Sequence, residues 1–213
     1  MVRKLILTAV SAAVLGGGSA LAAAPGGAGV DRAVDTLLSG YELVPTDADW
    51  AKAGPPEAVA ARLMAVADDE GAGIARSRAM SSLGHFPTPA VTAFLRARAT
   101  DPAQPAGIRG KAAIAWAVAA KEAAAPELAR LLGDPDEKLR EDAARALRHC
   151  AAPEVATFLR ARAALEPVPW VKEALKGAAT AVDTRRERLV VEKKAVPSVA
   201  MPTDVPRVKV APR

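Results

Sequence analysis

One pattern recurs along this chain at a nearly constant step, and it restricts the fold more than any other feature. Its clearest copy covers residues 126–147, PELARLLGDPDEKLREDAARAL. Pro126 suits a first helical turn, where its missing N–H costs nothing. Leu128, Leu131 and Leu132 then repeat at i, i+3 and i+4, the spacing of one helical face. Gly133 is placed to end that helix in a left-handed conformation. Asp134 is placed to cap a second helix, with Pro135 at its first position and Glu137 three residues past the cap. Leu139, Ala143, Ala146 and Leu147 give that second helix an apolar side. Neither helix is long enough to persist alone, so the pair must bury its stripe against neighbours.

The second helix sets a template: a large apolar residue, a base, then small residues, then a closing position. Leu139, Arg140, Ala143, Ala146 and Leu147 fit it, as do Ile108, Arg109, Ala112, Ala115 and Trp116. Ala75, Arg76, Ala79, Ser82 and Leu83 fit with one Ser, and Val171, Lys172, Leu175, Ala178 and Ala179 fit more loosely. The first positions, 75, 108, 139 and 171, are separated by 33, 31 and 32 residues. Pro56, Pro89, Pro126 and Pro153 open the preceding helices, and the hexapeptide FLRARA occurs at both 94–99 and 158–163, 64 residues apart. An alanine-rich run would match the small positions by chance, but it would not hold this step or repeat a hexapeptide.

The Asp134-Pro135 turn, followed by Leu139-Arg140 and Ala143…Ala146-Leu147, resembles the short Asp-Pro type of HEAT repeat that also occurs in phycobilin lyases. The resemblance covers about residues 56–182 and departs from pattern in the longer inter-helix loops of the first, second and fourth copies. It implies an all-α fold: a right-handed α-solenoid of about four helix pairs. Ankyrin repeats share the period, but no TPLHxA-like segment is present. Tetratricopeptide repeats need aromatic positions that a chain with 3% aromatic residues lacks.

A solenoid needs an atypical unit over its first face. Residues 30–54 are expected to form this N-terminal helical cap, with Val30, Val34, Leu37 and Leu38 as one apolar side and Tyr41, Leu43 and Trp50 packing on the first repeat. Repeats then occupy 55–182. Before the cap, Arg3 and Lys4 precede the apolar run 5–15 and the small residues 16–24, including Ala20-Leu21-Ala22. That order is the form of a secretory signal peptide, expected over 1–22 with a flexible linker at 23–29. The apolar run is too short for a membrane span, so no integral span is expected after leader removal. The location expected is periplasmic or secreted.

Charge divides the chain. Residues 31–182 hold 19 Lys/Arg against 20 Asp/Glu, whereas 183–213 hold eight against four. The net charge of +5 therefore belongs to the ends. Pro197, Pro202, Pro206 and Pro212 favour an extended tail over a helical one, and 183–213 is expected to be a basic, disordered tail. Truncation at Val182 is accordingly expected to leave the fold nearly unchanged.

No constellation for catalysis or for a metal or other cofactor stands out. The two histidines, His85 and His149, are 64 residues apart and fall at equivalent helix ends two repeats away from each other, too far apart to share an ion at about 10 Å per repeat. HEAT-like di-iron hydroxylases carry His-Glu pairs, and this chain has no His-Glu dipeptide. Cys150 is the sole cysteine and is expected to be a small buried filler. Ser77, Ser81 and Ser82 have no His at a usable spacing, and the glycine runs at 16–18 and 26–27 are not followed by phosphate-loop residues.

The bases after each anchor, Arg76, Arg109, Arg140 and Lys172, are expected to pair with loop acids such as Asp101, Asp134 and Glu166 rather than to grip a ligand. The ligand face is expected on the second helices, at Arg78, Lys111, Glu141, Asp142, Arg145, Glu173 and Lys176. Mixed signs without aromatic residues do not suit nucleic acid. The expected function is an exported, non-enzymatic scaffold holding a peptide or envelope protein. Two other readings stay open: a small-molecule or chromophore-handling protein by analogy with the lyases, and attachment of the basic tail to anionic lipid or polysaccharide.

Overall fold

The structure, a computed structural model, describes residues 27–40, 44–192 and 196–208. The expected leader, Tyr41 and Leu43 lie outside the described residues. The protein is all-α, and among the described residues there is no strand. The helices are α1 (Ala28–Ser39), α2 (Asp47–Ala53), α3 (Pro56–Asp68), α4 (Ile74–Ser82), α5 (Pro89–Thr100), α6 (Ala106–Ala120), α7 (Ala125–Arg130), α8 (Glu137–Leu147), α9 (Pro153–Leu165) and α10 (Pro169–Val191). Short 3-10 turns extend several of them, including Leu131–Gly133 after α7.

Helix ends follow local chemistry. Pro opens α3, α5, α7, α9 and α10 within the first turn. Thr88 caps α5 by accepting from the Val91 N–H. Thr46 and Asp49 form a reciprocal capping box at α2. The start of α8 differs from expectation: Asp136 is the cap, its carboxylate accepting from the Leu139 N–H at 2.8 Å. Asp134 instead accepts from the Asp136 N–H and shapes the turn before it. Asp134, preceding Pro135, is extended and the first helical residue is Glu137, so Asp136 is the acid beside the free N–H groups and Pro135 lies before the cap rather than at the first helical position.

Helices pack with their sequence neighbours: α3 with α4, α5 with α6, α7 with α8 and α9 with α10. The second members also pack on one another in order, α4 on α6, α6 on α8 and α8 on α10. The template positions are the seam: Ala79, Ala112, Ala115, Leu139, Ala143, Ala146, Leu147, Val171, Leu175 and Ala179 are all buried. Small side chains let the backbones approach, and the larger ones fill the space between. Gly110 marks the tightest point of this kind, because a Cβ there would lie 2.3 Å from the Asp142 carboxylate on α8.

Arginines tie each pair to the next. Arg76 donates to the Ala67 carbonyl at 3.2 Å and to Gln104 Oε1 at 2.8 Å. Arg109 donates to the Ala99 carbonyl at 3.3 Å and pairs with Asp134 at 2.9 Å. Arg140 donates to the carbonyls of Asp134 and Pro135 and forks onto both oxygens of Glu166. Arg76 and Arg109 thus each bind a carbonyl in the last turn of their own pair's first helix, Arg140 binds carbonyls of its own connection, and all three reach an acceptor in the connection of the following pair. The acids at 134 and 166 act as expected. At the first step Gln104 takes the place expected for Asp101, which lies behind it and accepts from its amide. The repeated hexapeptide makes matching contacts too: Arg98 pairs with Asp68, and Arg162 donates to the Leu132 carbonyl, both reaching back to the end of the preceding pair's first helix.

At the N-terminal end α1 packs on α2, α3 and α4. Val34 and Leu38 are buried, and Arg62 forks onto Asp35 from α3. Trp50 is buried edge-on against Phe86, with centroids 6.2 Å apart.

The C-terminal segment departs from expectation. Residues 183–191 continue α10 as one 23-residue helix, and Asp183 pairs with Arg160 of α9. After residues 193–195 the chain is extended but packed. Val196, Val199 and Met201 lie against the apolar core, and Ser198 donates to Glu154 at 2.6 Å. Val205 and Pro206 reach the turn after α7. Gly133 does not adopt positive φ there. Its missing Cβ makes room for the Pro206 ring, whose atoms would lie 2.9 Å from one.

Candidate functional site

The residues expected to form a ligand face fall on successive second helices. Arg78 is on α4, Lys111 on α6, Glu141, Asp142 and Arg145 on α8, and Glu173 and Lys176 on α10. Their environments differ. Arg78 donates to the carbonyls of Leu38 and Gly40 at 2.8 and 2.5 Å, so it caps the exposed end of α1. Asp142 is buried over Gly110 and bonds Lys138 at 2.7 Å. Glu141 is held between Lys138 and Arg145 at 3.1 and 2.6 Å. Glu173 and Lys176 pair with each other at 2.8 Å, and Lys111 is exposed.

Two of these residues, Glu141 and Arg145, line a depression between α8 and α10 of about 390 Å³, completed by Arg148, Trp170, Ala174, Gly177 and Ala178. A second depression, also about 390 Å³, continues along the same helices and is lined by Arg148, Ala181, Thr184, Arg185, Arg188, Leu189 and Glu192. Arg148 lines both, which makes them one groove. The α10 residues run at i, i+4, i+7, i+8, i+11, i+14, i+15 and i+18 from Trp170, a single helical stripe. From Trp170 to Arg188 that stripe extends about 27 Å at ~1.5 Å per residue.

The groove is graded. Its first half offers the exposed Trp170 ring beside Ala174 and Gly177. Its second half offers Arg148 and Arg185, exposed and in no ion pair with a carboxylate among the described residues, and Arg188 one turn on. His149 is half-buried nearby. Burial, then the charges of Arg185 and Arg148, lower its pKa below the ordinary imidazole value. Cys150, in the same corner, donates to the Lys121 carbonyl, and burial pushes its thiol up to about 12. It is therefore a filler rather than a nucleophile.

Among the described residues no group of three or more His, Cys, Asp or Glu could hold a metal ion, and no helix is long and apolar enough to cross a membrane. Sequence reasoning missed Trp170, Arg148, Arg185 and Arg188 as groove residues. The signal was present: the stripe from Trp170 runs unbroken past Val182, where the repeat template stops. Neither a family model, nor a curated protein, nor a solved structure matches the chain.

Proposed function

We propose that this chain is an exported, non-enzymatic interaction module. In this reading it is a right-handed α-solenoid of about four HEAT-like pairs, capped by α1 and α2, that presents the shared side of its second helices to a peptide or an envelope protein. The observation that carries the proposal is the succession α4, α6, α8, α10, each packed on the last, with a graded groove open between the final two. The arginine ladder supports it by fixing the angle between pairs, so the face is preorganised and binding orders little. Export rests on the leader pattern at 1–22 and is tested by N-terminal sequencing of the protein from the envelope fraction, with maturation expected after Ala22.

A random-peptide library panned on the wild type and on a Lys111→Glu/Arg145→Glu variant tests the binding face. Both positions are exposed, so the variant keeps its core. Sequences enriched on the wild type and lost on the variant support the module. Enrichment no better than on a blank surface removes it. Small-angle scattering tests the elongated shape: a compact chain of about 190 residues has a radius of gyration near 16 Å, and a solenoid exceeds it.

A further inference from the structure

We infer that the groove between α8 and α10 takes an extended acidic peptide, with an apolar side chain on Trp170 and carboxylates on Arg148, Arg185 and Arg188. This rests on the interaction-module reading and assigns the ligand's chemistry and its direction.

Elsewhere in the described structure most arginines are spent on internal acceptors: the ladder residues on loops, Arg62 on Asp35, Arg96 on Glu127, Arg160 on Asp183 and Arg162 on the Leu132 carbonyl. Arg148 and Arg185 break this habit on facing helices, in one cavity, with Arg188 beside them. Gathering like charges in a concavity is unfavourable unless an anion completes it, and low-dielectric walls strengthen attraction for that anion. The groove acids do not neutralise them. Glu141 is held by Lys138 and Arg145, and Glu192, one turn past Arg188 in the same depression, is a single carboxylate against three guanidinium groups.

Shape then selects among anions. A free phosphate fills one end and leaves Trp170 bare. The stripe's length, about 27 Å, matches an extended peptide of about eight residues at ~3.3 Å each. The small residues Ala174, Gly177, Ala178 and Ala181 between the two ends let a backbone lie close to α10. Guanidinium groups suit carboxylates because two parallel N–H bonds match two oxygens. A flat membrane surface reaches a ridge more readily than cations lining a cavity.

Trp170 gives a direct readout. Of the three tryptophans, Trp50 and Trp116 are 3% and 4% exposed while Trp170 is 51% exposed. The full chain is titrated with a synthetic peptide of about ten residues carrying two leucines followed by four glutamates, and tryptophan emission is followed. Parallel titrations use the same peptide with lysines for glutamates, inorganic phosphate, and phosphatidylglycerol vesicles. The acidic peptide is expected to blue-shift the emission saturably, to weaken with rising salt, and to bind Arg185→Glu/Arg188→Glu at least about tenfold less tightly. A Trp170→Phe variant loses the emission shift, and a Trp170→Ala variant binds labelled peptide more weakly in a fluorescence-anisotropy assay. Equal binding of the lysine and glutamate peptides overturns the acidic assignment and leaves peptide binding standing. A shift with vesicles or phosphate but not with peptide overturns it in favour of a lipid surface or a small anion. Silence from every ligand, together with an empty peptide library, removes the module reading as well.

Discussion

Replacing Arg140 by Ala tests the idea that the ladder, rather than surface charge in general, fixes one helix pair against the next. Arg140 and Glu166 are 2% and 1% exposed at the side chain, and the guanidinium donates to four acceptors. Removing it leaves the Glu166 carboxylate buried with one remaining donor, the Val168 N–H at 3.2 Å, and releases two carbonyls. Breaking a buried pair from one side costs about 3–5 kcal/mol because a charge remains without its partner. At about 2–4 °C per kcal/mol for a chain of this size, Tm falls by about 6–20 °C. Arg96→Ala is the control: Arg96 and Glu127 are 60% and 32% exposed, and such a pair is worth about 0–1 kcal/mol. Removing both charges together, Arg140→Met with Glu166→Leu, restores much of the loss. The carbonyls it releases at 134 and 135 belong to a half-buried and an exposed residue and can turn to water. Urea titrations followed by far-UV circular dichroism give the three free energies. A loss for Arg140→Ala below about 1 kcal/mol, equal to the Arg96 control, refutes the ladder argument.

Truncation after Val182 removes the Asp183–Arg160 pair, two turns of α10 and the segment over α9 and Gly133, so a marked drop in Tm is expected by calorimetry, against the small effect that the sequence pattern suggests. Gly110→Ala pushes a methyl into the Asp142 carboxylate and is expected to cost about 1–3 kcal/mol in denaturant melts, whereas Gly107→Ala, with open space around it, costs nothing measurable. His149 has a lowered pKa in the fold, so the unfolded chain takes the proton first. Stability therefore declines as pH falls through the ordinary imidazole range near 6.5, and His149→Gln flattens that slope in melts run across pH.

Which parts of this protein were legible from its residues follows from the range of the interactions involved. Proline and Thr88 mark helix starts within one turn, and apolar spacing marks the buried side within two, so the pairs and their step of about 32 residues are written locally. The ladder was legible in part, because each arginine finds its acceptor 28, 25 or 26 residues on, although Gln104 and not Asp101 takes the first place. The cap of α8 was misplaced by two residues because Asp134 and Asp136 offer the same side chain and only backbone direction separates them.

Contacts outside the repeat had no such index. Nothing in the residues around Arg78 says that its guanidinium closes the end of α1, nor does Gly133 announce a Pro206 ring 73 positions away. Composition argued that 183–213 stay loose, since charge and proline weigh against helix. Continuation of α10 along the side of α8, with Asp183 fixed by Arg160, overrides that preference. The sequence alone determined that short amphipathic pairs must stack, because each carries more apolar surface than it can cover. Tertiary structure alone decided which side chains were left over once stacking was complete, and so set Trp170, Arg148, Arg185 and Arg188 along one groove.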